Sequence, residues 1–160
     1  MNRYILILLI LLICLIFIYR DIFLNKTVDV PGKTISINSG AYEHQLLVGN
    51  ATFSVDIAND DATRSKGLGE REPMLANQGM FFLFNSYDRY PFWMKGMKFP
   101  IDIIWINNNT IMGVEKNVAV STNLIPKFYA PKQKINKVLE IMAGEFDNQK
   151  LKIGDTIQLQ

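Results

Sequence analysis

Short runs of strand-forming residues recur along most of the chain, each bounded by Gly, Pro, Asn or Asp, and that punctuation confines it to a mainly β architecture. His44 to Val48 and Ala51 to Ile57 flank Gly49-Asn50, a dipeptide suited to a tight hairpin turn. In the second run Phe53, Val55 and Ile57 alternate with Ser54 and Asp56, so one face is buried. Gly79 to Phe84, Thr110 to Val120, Lys137 to Met142 and Thr156 to Leu159 have the same character. Asp60 or Asp61 can cap a short helix over Ala62 to Lys66 that Gly67 or Gly69 ends, and Gly144 to Lys150 suits a helical turn. Many short strands at regular spacing predict a β-sandwich, jelly-roll-like fold or partly closed barrel with one or two short helices.

Charges interrupt runs that otherwise look like core strands. Asp102 lies between Ile101 and Ile103, and Lys95 closes Pro91-Phe92-Trp93-Met94. A buried, unpaired charge is costly, so such groups pair or shift their pKa. Phe92 to Lys95 and Ile101 to Asn107 read as a hairpin around a Gly96 to Phe99 loop, which sets Trp93 opposite Asp102 and Lys95 on its diagonal. Side-chain facing has period two, so a loop one residue longer breaks the arrangement. Either a binding site or a structural ion pair under an aromatic lid satisfies this pattern. Glu140, between Leu139 and Ile141, is an alternative partner for Lys95. Arg64 and Arg71 bracket Gly67-Leu68 and suit an anion-binding loop or surface ion pairs.

These residues also carry a resemblance. Arg64, Gly67-Leu68 and Arg71, then Gly79-Met80-Phe81 and Phe84, lead to Phe92-Trp93-Met94-Lys95 and Pro100-Ile101-Asp102-Ile103. Leu139-Glu140, Ala143-Gly144, Leu151-Lys152 and Gly154-Asp155 complete the pattern. Over roughly residues 51 to 160 the chain resembles the prokaryotic domain-of-unknown-function family 192. It departs at Gly69, where the family usually has Met, and at Gly96-Met97, where it usually has Asn-Thr. The resemblance implies a small, mostly β domain and no established reaction.

Tyr4 to Tyr19 is an unbroken apolar run of sixteen residues between Arg3 and Arg20. It is short for a spanning helix, but snorkelling arginines lengthen the usable span. No small-x-small cleavage site follows, which favours a retained single-pass anchor over a signal peptide. Cys14 sits between Ile13 and Leu15, a poor lipoprotein context. The expected organisation is an anchor over residues 1–24, a tether over 25–41 with an edge strand at Thr34 to Ile37, and one domain over 42–160. Arg3 on one side and Arg20, Lys26 and Lys33 on the other do not decide the orientation, and the expectation, from the very short amino-terminal tail ahead of a folded domain, is an extracytoplasmic position.

Without Arg3, Arg20 and Asp21 the rest carries fifteen basic and fourteen acidic residues, no electrostatic footprint for nucleic acid. Beyond residue 25 there is no cysteine, which excludes disulfides and thiol catalysis there, and His44 is the only histidine, which excludes a histidine-cluster zinc site. No phosphate loop, nucleophile elbow or dinucleotide fingerprint occurs, and no cofactor or metal is expected. The leading expectation is a membrane-tethered module that binds an envelope polysaccharide or another polar ligand through Trp93, Lys95, Asp102, Arg64 and Glu140. A hydrolase using Asp102 with Glu115 or Glu140 is the enzymatic alternative. A structural partner of another envelope protein is the third.

Overall fold

The structure, a computed structural model, describes residues 27–30, 33–36, 42–121 and 125–160. The apolar run 4–19, on which the anchor expectation rests, lies outside the described residues. The chain divides into two compact units, Met1–Ser39 and Gly40–Gln160. In the first, β1 (Thr27–Val30) pairs with β2 (Lys33–Ser36) as an antiparallel hairpin.

The second unit is one seven-stranded sheet with a small ribbon and two short helices. Its strands are β3 (His44–Val48), β4 (Ala51–Ala58), β5 (Gln78–Asp88), β7 (Ile101–Asn107), β8 (Thr110–Val118), β10 (Ile135–Met142) and β11 (Ile157–Leu159), in the order β11-β3-β4-β5-β10-β7-β8. All neighbours are antiparallel except β4 and β5, whose crossover carries α1 (Asp61–Lys66). The ribbon pairs β6 (Phe92–Trp93) with β9 (Phe128–Tyr129).

The sheet curls into a half-barrel. Its outermost strands approach each other where Thr110 bridges Thr156 and Ile157 N–H donates to Asn109 C=O at 2.8 Å. The concave face draws on every strand of the sheet, including Leu46, Phe53, Phe81, Leu139, Ile104, Ile111 and Ile157. Helix α2 (Glu145–Asn148) adds Phe146 to that core. On the convex face Met80, Val138, Ile103 and Trp105 are covered instead by Leu68, Met74, Met94, Met97 and Phe99, all from connections. Of the expected architectures, the partly closed barrel is the one formed, because a single sheet supplies both core faces.

Several local readings hold. Gly49-Asn50 turns β3 into β4 with Val48 paired to Ala51. The Asp60 side chain caps α1, accepting from Thr63 N–H at 2.8 Å, while Gly67 ends it at φ 52°. The hairpin joining Phe92–Lys95 to Ile101–Asn107 does not form. β6 pairs with β9, and β7 lies between β10 and β8, strands that offer it longer apolar partners.

Candidate functional site

Strand β6 shows the period of two at its simplest. Phe92 turns inward, edge-on to Phe82 at 5.0 Å and to Trp105 at 5.6 Å. Trp93 therefore turns outward, 41% exposed, and stacks on its cross-strand partner Phe128 with ring centroids 5.5 Å apart. The following turn is pinned by buried Met94 and Met97, leaving Lys95 exposed between them. Lys95 Nζ lies over the Trp93 ring, 5.2 Å from its centroid. Such an exposed cation–π contact is worth about 0.5–1 kcal/mol, weak enough for a ligand to displace.

The segment after α1 docks against this turn. Glu70 N–H donates to Gly96 C=O at 2.8 Å, and a Cβ on Gly69 would stand 3.0 Å from Lys66 C=O and 3.3 Å from Lys95 C=O. A Cβ on Gly96 would stand 3.8 Å from Gly69 Cα. Gly69 and Gly96 thus lie against each other.

Between segment and turn opens a cleft of about 600 Å³, with Arg64, Lys66, Leu68, Trp93, Lys95 and Glu140 among its lining. A second cleft of about 630 Å³ shares Arg64, Phe92 and Trp93 and runs on to Asn85, Ser86 and Tyr90. Arg64 stands between the two. Its guanidinium donates to Leu83 C=O at 2.9 Å and to Asp61 at 2.5 Å, and lies over the Phe84 ring.

Glu140 forms the floor of the first cleft. It lies on β10, paired with Met80 on one side and Ile103 on the other, and is 4% exposed. No ion pair or side-chain hydrogen bond reaches it among the described residues. Burial without a compensating charge pushes its carboxyl up to about 8, so the group holds its proton at neutral pH.

Asp102 belongs elsewhere. It is fully buried on β7 and pairs with Ile141, so it shares the concave face and not the cleft. Its carboxylate accepts from Asn117 N–H at 2.7 Å and from Phe146 N–H at 3.0 Å, tying β8 and α2 to the barrel wall. The expected Lys95–Asp102 pair is absent: Lys95 is on a turn at the convex side, and Asp102 is satisfied by backbone donors.

The expected carboxylate pairs are not formed either. Glu140 and Glu115 both pair with Ile103, whose side chain points away from Asp102, so neither faces Asp102. Glu115 lines a separate cleft of about 190 Å³ beside Trp105. Arg71 pairs with Asp56 at 2.5 Å, away from the Arg64 guanidinium contacts. His44 is an ordinary strand residue opposite Val55. Among the described residues no cluster of three or more His, Cys, Asp or Glu is placed to hold a metal ion, and no helix is long and apolar enough to cross a membrane.

The site therefore gathers Trp93, Lys95, Arg64 and Glu140 and leaves Asp102 out. Lys66 and Phe128 join them unannounced. The aromatic pair Phe128-Tyr129, isolated among lysines and prolines, was the signal for the second strand of the ribbon.

The model of the family DUF192, described as Uncharacterized ACR, matches residues 44–159. The chain belongs to the DUF192 family. Two solved structures share this DUF192 fold. One, a candidate transcription regulator from Sinorhizobium meliloti, is 24% identical with a TM-score of 0.66, covering 76% of this chain and 97% of its own. The other, a protein of unknown function from Novosphingobium aromaticivorans, is also 24% identical with a TM-score of 0.65, covering 83% of this chain and 92% of its own. At that identity they establish the fold alone. No curated protein matches the chain.

Proposed function

We propose that this DUF192 protein is a membrane-tethered, extracytoplasmic module that binds a polar ligand, in first place an envelope polysaccharide fragment, in the cleft under Trp93 and Lys95. One observation carries the reading. Glu140 is a buried acid with no hydrogen-bond or ion-pair partner among the described residues, and it opens into a cleft of about 600 Å³. Its carboxyl oxygens stay open to the cleft, where a ligand oxygen can meet them. Trp93 adds an exposed aromatic surface for a sugar ring, and Lys95 an exposed cation at the rim. The tether rests on the apolar run from Tyr4 to Tyr19. The hydrolase alternative lacks the facing carboxylates it requires.

The test is binding of cell-wall polysaccharide fragments to the full chain in mild detergent, compared with Trp93→Ala. Saturable binding weakened in the variant supports the proposal. A folded Trp93→Ala protein that binds every fragment as well as wild type contradicts it.

A further inference from the structure

The chemistry of the cleft floor narrows the ligand. On the convex face the register lays one row across five strands: Asp56 on β4, Met80 on β5, Glu140 on β10, Ile103 on β7 and Glu115 on β8. Glu140 has apolar neighbours on both sides. Asp56 and Glu115 are two strand spacings away, roughly 10 Å, and Asp56 is already paired with Arg71. Above the floor, the segment after α1 contributes Arg64, Lys66 and Glu70, and the β6 turn contributes Lys95. The lining thus has Lys66 and Lys95, an Arg64 already paired with Asp61, one exposed carboxylate and one acid that is buried with no cation within pairing distance among the described residues. A cationic ligand would enter against the field of the lysines. An anionic one is drawn by them, and it keeps the floor acid protonated by like-charge repulsion.

We propose that Glu140 acts as a hydrogen-bond donor through its acid O–H, and that the ligand is an anionic saccharide whose ring lies on Trp93 and whose carboxylate or phosphate faces Lys95 and Lys66. This rests on the binding reading of the same cleft. A protonated acid donates one hydrogen bond to an acceptor oxygen, which its ionised form cannot do. Loss of the proton also sets a buried negative charge beside the ligand's own. Binding therefore weakens as pH rises through the Glu140 transition, while the lysines stay charged.

The experiment titrates the full chain in mild detergent with trigalacturonate, its methyl ester and glucose 6-phosphate between pH 6.5 and 9.5, by calorimetry and by the Trp93 indole resonance. The expected result is anion binding about tenfold weaker at pH 9 than at pH 7, as one proton leaving near pH 8 requires. The methyl ester binds more weakly than the acid at pH 7, and the trigalacturonate and glucose 6-phosphate arms separate carboxylate from phosphate sources. In Glu140→Gln, which keeps a donor but cannot ionise, anion binding no longer falls between pH 7 and pH 9. Binding at Trp93 that strengthens towards pH 9, or that Glu140→Gln abolishes in a folded protein, overturns the donor role while leaving the cleft a binding site. No shift at Trp93 with any of these or with neutral cell-wall fragments overturns both. A Glu140 carboxyl carbon resonance titrating below pH 6 in the unliganded protein also overturns the donor role.

Discussion

Glu140 and Asp102 occupy adjacent strands one register step apart, yet face opposite sides of the sheet. Glu140 pairs with Ile103 and looks into the cleft, whereas Asp102 pairs with Ile141 and looks into the barrel. Two acids embedded in strand-like runs thus have separate duties. One is held by backbone donors, and the other is left without a protein partner.

Asp102→Ala removes the acceptor of two backbone N–H groups, those of Asn117 and Phe146. Leaving buried donors unsatisfied costs about 1–3 kcal/mol each, so the variant should lose about 3 kcal/mol of unfolding free energy. Urea denaturation measures the loss. In the fraction that remains folded, ligand contacts at Trp93 should be unchanged.

Glu140 makes stability depend on pH in a defined direction. Its folded-state pKa of about 8 lies above the ordinary carboxyl value of 4.5, so between these values the native state holds a proton that the unfolded chain has released. The favourable contribution is complete below about pH 4.5 and declines as pH rises, ending at about pH 8. The change is on the order of 5 kcal/mol over that window. Stability of Glu140→Gln relative to wild type should therefore rise from pH 5 to pH 8 and level off above it, in denaturant melts across pH.

Gly96 sits at φ 70° in the turn that presents Lys95. Asn is among the few other residues that tolerate this region. Gly96→Asn should be nearly neutral, whereas Gly96→Val should cost about 1–2 kcal/mol. Gly69→Met should also destabilise, since its Cβ would meet two backbone carbonyls. Thermal melts of the three variants check this ordering.

Trp93→Ala removes an exposed ring and its contacts with Phe128 and Lys95, none of them in the core. Stability should change by less than about 1.5 kcal/mol, while affinity for a polysaccharide fragment should fall about tenfold. Parallel melts and calorimetric titrations separate the two effects.

Much of this was readable where neighbours in sequence are neighbours in space. Gly49-Asn50 announced its hairpin, and Asp60 with Gly67 bounded α1, because turns and caps are local chemistry. The partner of Phe92-Trp93 was not readable. It is Phe128-Tyr129, and the nearer Ile101–Asn107 run is claimed by β10, a pairing that depends on sheet order. A hairpin between the two nearer runs would set Asp102 on the face it does not occupy. Trp93, Lys95, Arg64 and Glu140 nevertheless line one cleft.

The most direct test of the binding cleft is an NMR titration of the isotopically labelled full chain in mild detergent with cell-wall polysaccharide fragments. The account predicts saturable shifts at the Trp93 indole and the Lys95, Gly69 and Glu140 amides, with Asp102 and Phe146 unmoved. No localised shift, or shifts centred on Asp102 and Phe146, would contradict it.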